Sequence, residues 1–248
     1  MKQLLAIILA WGLLYGQAWA AFPAVAASAT SNETANTTTH NVSYPSGIAL
    51  GHLLVLLLGL DGDSVTISSG LTGWTQFATT TGGGRTFFAY YKTAAGTETG
   101  TLDLTSSASE KSAHIMLRIT GQHALTAPEG TADVASTETA NPDPPTFNPT
   151  NWDAEDTLWI AGYIKDNDGD TQSAVPANYS GGLYIDSAGG GGTADIAVGM
   201  AWRQLNAASE DPGTFTISTA RFLRAFTLAV RPAAAAGGSS MGLMGVGR

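Results

Sequence analysis

The sequence predicts an all-β protein: a two-sheet β-sandwich, jelly-roll-like, built from an internal duplication of a five-stranded unit. Three observations predict it. Thr, Ser and Gly are abundant, with 30 glycines, while only 12% of the 248 residues are charged. Short apolar runs alternate with turn residues, and no stretch after the first twenty residues shows a helical period in good helix formers. The third observation is a repeat.

Residues 1–20 read as a signal peptide. Lys2 supplies a positive start, Leu4 to Leu14 is apolar, and Ala18-Trp19-Ala20 fits a small-x-small cleavage site. The apolar run is too short to span a bilayer, so no membrane span is expected after cleavage. Residues 21–43 form an N-terminal extension with the first strand.

The first β repeat covers 44–120 and the second 149–232, sharing one core. "YPSGIALGHLLVLLLGLDGDS" and "NPTNWDAEDTLWIAGYIKDNDGDT" each run from a proline and polar turn through an apolar strand to Asp-Gly-Asp and a hydroxyl residue. This aligns Asp61 with Asp168. Trp74 aligns with Tyr179, Tyr91 with Trp202 and Leu117 with Leu228. Alternation assigns Ile115, Leu117 and Ile119 to one face of their strand, with His114 and Met116 opposite. Phe226, Leu228 and Val230 likewise share a face. Residues 121–148, ending in "NPDPPTFNP", read as an extended linker. Residues 233–248 read as a flexible Gly/Ala tail.

Charge and composition narrow the function classes. A net charge of -9 and 11 scattered Lys and Arg leave no basic stripe for nucleic acid. The absence of cysteine excludes a disulfide scaffold and a thiolate zinc site.

Gly62-Asp63-Ser64 after a strand resembles the nucleophile of GDSL-type esterases. Its recurrence in the second repeat, the absence of crossover helices and the confinement of all four histidines to the first half favour a turn. The sequence therefore offers no catalytic residue. Asp166, Asp168 and Asp170 stand at alternate positions, as in the start of a calcium loop. Thr171 and Ala177 replace the EF-hand glycine and glutamate, and a solvated acidic hairpin loop is the favoured alternative. Trp74 and Tyr179, with neighbouring aromatics, are candidates for stacking on a sugar ring, against the plainer reading that repeat-matched aromatics fill the core.

"FPAVAASATSNETANTTTHNVSYPSGIALGHLLVLLLGLDGD", "GWTQF", "YYKTAAGTETGTLDLT", "SAHIMLRITG" and "FTLAVRP" together resemble a loose group of β-rich proteins encoded by tailed phages and marine metagenomes. The resemblance spans Ala21 to Pro232 and carries no catalytic residues. It implies a virion-associated or surface-displayed structural protein, such as a decoration, tail or adhesion component. The expected function is therefore non-enzymatic binding or assembly. Its partners would be other virion or surface proteins, or further copies in a homo-oligomer. The alternatives are a secreted carbohydrate-binding module and a secreted glycan-active enzyme. A cleaved leader places the protein outside the cell; without cleavage the resemblance places it on the virion.

Overall fold

The computed structural model describes residues 21–133, 138–166, 169–187 and 195–235. The leader, Asp168 and the tail from residue 236 lie outside them. Among the described residues every regular element is a strand. The first half carries β1 (Ala24–Ser43), β2 (Leu53–Asp61), β3 (Ile67–Ser69), β4 (Thr75–Thr81), β5 (Arg85–Thr93) and β6 (Thr101–Thr120). The second carries β7 (Glu129–Ala132), β8 (Glu138–Thr139), β9 (Glu155–Asp166), β10 (Gln172–Ala174) and β11 (Ser180–Asp186). It closes with β12 (Ile196–Ala207), β13 (Thr216–Ile217) and β14 (Arg221–Val230).

One antiparallel sheet has the order β1-β6-β2-β5-β4, with β3 beside β6. The other has the order β11-β12-β9-β14-β7, with β8 beside β14. The protein is thus the expected two-sheet sandwich. Its strand assignment is simpler than the jelly-roll crossing, in which strands pass alternately between sheets. Here each contiguous half builds one sheet. The segment 121–148 does more than cross: β7 and β8 hydrogen-bond to β14 at the sheet edge.

The core between the sheets follows from side-chain alternation. Leu53, Val55 and Leu57 of β2 and Ile115, Leu117 and Ile119 of β6 meet Leu158, Ile160 and Ile164 of β9 and Phe226, Leu228 and Val230 of β14. Phe87 and Phe226 stack across the gap at 4.3 Å, and Gly162 leaves the space that the Phe226 ring fills. Each such buried side chain contributes roughly 1.5–3 kcal/mol.

The outer faces are buried as well, which half-buried alternation does not anticipate. β1 and β6 are each 20 residues long, and their pairing register breaks between Glu33 and Thr39. Beyond that break they carry Val42 and Leu104 back over Leu56, Leu58 and Met116 on the outer face of the first sheet. The second sheet has a matching cover, the β10–β13 ribbon, whose Ile217 packs with Phe215 on Tyr163, Leu223 and Ala225. This explains why β2 reads as an almost unbroken apolar run: both its faces are dry.

The backbone repeats closely. Val55 pairs with Leu117 and Tyr91 as Ile160 pairs with Leu228 and Trp202. Equivalents are therefore 105 residues apart on the first strand (160 − 55) and 111 on the others (228 − 117, 202 − 91). Trp74 N–H donates to Leu71 O and Tyr179 N–H to Pro176 O, closing the same turn. Gly73 and Asn178 supply its left-handed residue at φ 79° and 66°. A β-bulge follows in both copies, between Gln76 and Ala78 and between Ser180 and Leu183. In one place the backbone corrects the sequence alignment. Asp61, opposite Arg85, is equivalent to Asp166, opposite Ile196, and not to Asp168. Matching letters pulled the alignment two residues out; the left-handed residues Ser64 and Gly169 set the true register.

Candidate functional site

The two ends of the sandwich differ in chemistry. At one end the strands close on charge. Arg85 of the first sheet donates from Nε to Asp166 of the second at 2.9 Å, and Lys111 pairs with Asp195. Arg224 reaches back from β14 to Gly82 O at 3.1 Å, and Asn32 donates to Asp186 O at 2.6 Å. All four cross between sheets. Asp61 sits among them. Burial, then the neighbouring Glu110, Asp166 and Asp195, push its carboxyl up to about 6 against the pull of Lys111. Asp195 is 1% exposed and its Oδ2 has no hydrogen-bond partner.

At the opposite end the chain leaves a cleft of about 340 Å³. β6 ends at Thr120, and Gly121 turns the chain at φ 76° into the loop 121–128. His123 N–H donates to Arg231 O at 2.9 Å and Ala233 N–H to Gly121 O at 2.7 Å, tying that loop to the exit of β14. His123 Nδ1 accepts the N–H groups of Leu125 and Thr126 at 3.2 and 2.9 Å, so its ring proton sits on Nε2. Gln122 Nε2 donates to Gly51 O at 2.5 Å, while its Oε1 is buried without a partner. Tyr91, Thr93, Leu53 and Val230 complete the lining. Leu125 of the lining is 93% exposed, and Leu50, the chain neighbour of the lining residue Gly51, is 81% exposed. Beside the cleft, Arg231 clamps Glu155 with two hydrogen bonds of 2.9 and 2.6 Å, which hold that carboxyl below its usual range.

The residues singled out from sequence lie elsewhere. Trp74 is half-buried against the outer cluster of the first sheet, its Nε1 without a partner. Tyr179 is 7% exposed on the outer cluster of the second, donating to Glu210 Oε1 at 3.1 Å with Arg203 over its ring. The two stand on opposite outer faces, so they do not form one stacking platform. Asp166 is committed to Arg85. Asp170 is buried; burial raises its carboxyl, but hydrogen bonds from Arg221 and Thr219 and the charge of Lys165 outweigh this and hold it at about 2. Asp168 lies outside the described residues. No three His, Asp or Glu among the described residues are grouped to hold a metal ion. Ser64 caps a turn through its N–H to Thr81 Oγ1 at 2.8 Å, and its side chain is exposed. The four histidines have hydrogen-bond partners elsewhere.

The cleft was missed from sequence. Its one signal is Leu125 within "GQHALTAPEG", a leucine among small and polar residues outside any strand pattern. Among the described residues no helix is long and apolar enough to cross a membrane. Comparison of the chain with protein-family models, curated proteins and solved structures gave no match.

Proposed function

We propose that the protein is a non-enzymatic β-sandwich that works by binding or assembly, displayed on a virion or another outer surface, and that the end cleft is its contact. The observation that carries this is Leu125 in the cleft lining, 93% exposed, with Leu50, 81% exposed, adjoining the lining residue Gly51; among the described residues these two are the most exposed large apolar side chains. Protruding apolar groups around a concave, partly polar floor suit a protein partner, because their burial drives association while the polar groups of the floor fix orientation. The phage-protein resemblance of the sequence supports the same reading. A carbohydrate-binding module is the second reading, favoured by Tyr91 beside an amide and an imidazole in one cleft.

Light scattering after size-exclusion chromatography tests the first reading, with Leu50→Asp and Leu125→Asp combined as the variant. A defined oligomer that the variant reduces to monomer supports assembly through this end. An oligomer unaffected by the substitutions removes the cleft from the interface. A monomer that binds a glycan class on an array, and loses it on Tyr91→Ala, reverses the ranking.

A further inference from the structure

Beneath the folded-over parts of β1 and β6 runs an unbroken chain of polar side chains, buried except for the half-buried Ser31 at its end. Ser106 Oγ bonds to His40 Nε2 at 2.8 Å, and His40 Nδ1 to Ser112 Oγ at 2.7 Å. Ser112 Oγ also meets His114 Nε2 at 2.7 Å, and His114 Nδ1 meets Ser31 Oγ at 3.0 Å. Both histidines are fully buried, with ring centroids 6.2 Å apart. The chain joins the inner stretch of each long strand (Ser31, Ser112, His114) to its folded-over stretch (His40, Ser106).

The fold does not require it. At the repeat-equivalent positions the second half places Ile217 for Ser106, Leu223 for Ser112 and Ala225 for His114, and all three pack in an apolar cluster. The same cover is therefore closed by oil in one half and by imidazole in the other.

We propose that the His40–Ser112–His114 chain is an acid-released latch, which holds residues 37–43 and 101–110 over the first sheet at neutral pH and releases them as the histidines take up protons. A neutral imidazole satisfies both its nitrogens against serine hydroxyls, one donating and one accepting. An imidazolium has two donors, no serine can neutralise it, and the other ring lies beside it. Among the described residues, Glu33 of β1 is the charged side chain acting on His40, and it is engaged by Asn41. β2 presents Leu58 opposite His114, and β3 presents Ile67 opposite Ser106. Burial, then the neighbouring His40, pushes His114 down to about 3; burial also lowers His40, against Glu33.

The sign follows from these directions. The open form binds protons near the ordinary histidine value of 6.5, and in the closed form both rings bind them less readily. Closure is thus complete above that value and weakens as pH falls, by up to about tenfold per pH unit per histidine. Release would uncover Leu56, Leu58 and Met116. This inference does not depend on the role of the cleft.

Hydrogen exchange of the full chain between pH 7.5 and 4.5, corrected for intrinsic rates, tests it. Amides of 37–43 and 101–110 are expected to open at least tenfold more at pH 4.5, while 112–119 and 155–166 stay protected. The His40→Gln, His114→Gln double variant is expected to lose that pH dependence. An unchanged profile in the variant, or simultaneous loss of protection in every strand, overturns the latch. Should the variant not fold, NMR titration of the wild-type histidines decides. Rings that stay neutral until these amides open support the latch, and rings that protonate near pH 6.5 with the cover still closed overturn it.

Discussion

The two halves share a backbone plan and differ in what fills it. Register, bulge and left-handed turn residue recur from one sheet to the other, and the inward faces of both are aliphatic and aromatic. The outer layers diverge: Tyr163, Phe215, Ile217 and Leu223 in the second half, histidine and serine beside leucine in the first. The plan is therefore held by the shared inner layer and a few turn positions, and the outer layer is where a half can acquire chemistry of its own. The bracing across the ends diverges too, with charge at one and the cleft at the other.

The largest expected effect tests whether the halves are one cooperative unit. Phe226→Ala should cost about 4 kcal/mol, because it removes a ring from the shared core and from its stack on Phe87. Unfolding by urea should remain a single transition with a lower midpoint. Two transitions, with only one displaced, would mean the sheets fold separately.

A smaller effect compares two inward-facing glycines, Gly162 and Gly59. A Cβ at Gly162 would run into the Phe226 ring and the backbone oxygen of Gly199, whereas at Gly59 it meets only side-chain atoms of Val198, Ile196 and Ile164 at 3.0–3.3 Å. Gly162→Ala should cost about 3 kcal/mol and Gly59→Ala about 1 kcal/mol or less, since methyl groups yield more easily than backbone. Equal costs would show that the gap between the sheets is set elsewhere.

The smallest concerns the charged end. Asp61 ionises at about 6 in the folded protein against an ordinary value of 3.8. The folded state therefore holds its proton more tightly, and stability from this residue is lost as pH rises from about 4 through 6. Asp61→Asn should raise the thermal midpoint at pH 7.5 by an amount worth ~1 kcal/mol after allowance for solvent screening, and make no difference below pH 4. This runs opposite to the two histidines, so the same acid that loosens the outer layer relieves the end cap. A midpoint gain that persists at pH 3.5 would show that the carboxylate charge is not its cause.

Much of the fold was legible. Trp74 with Tyr179, Tyr91 with Trp202 and Leu117 with Leu228 were paired in sequence as the backbone pairs them, because turns and alternating strands leave local patterns. The outer layer was not legible, since it depends on where two long strands bend, and a bend has no period. His114 was visible as an outward residue, but its serines lie 2 and 83 positions away along the chain. The cleft was hidden for the same reason: Gln122 and Gly51 meet across 71 residues. Asp166 and Asp170 are ambiguous in sequence because an alternating acidic run looks alike whether it faces a cation in solution or, as these two do, the protein's own Arg85, Arg221 and Lys165.

The change of spacing from 105 to 111 has a practical meaning. Thr81 faces Thr86 across one hairpin and Asp186 faces Ala197 across its counterpart, so four residues join the strands in the first half and ten in the second. All six extra residues fall between these partners, and the strands on either side keep their register. Nature has thus already run the loop-insertion experiment at this hairpin tip. A foreign peptide spliced between Gly83 and Gly84 should likewise leave the register of the flanking strands in place, which makes the tip a mounting point for epitopes or affinity tags.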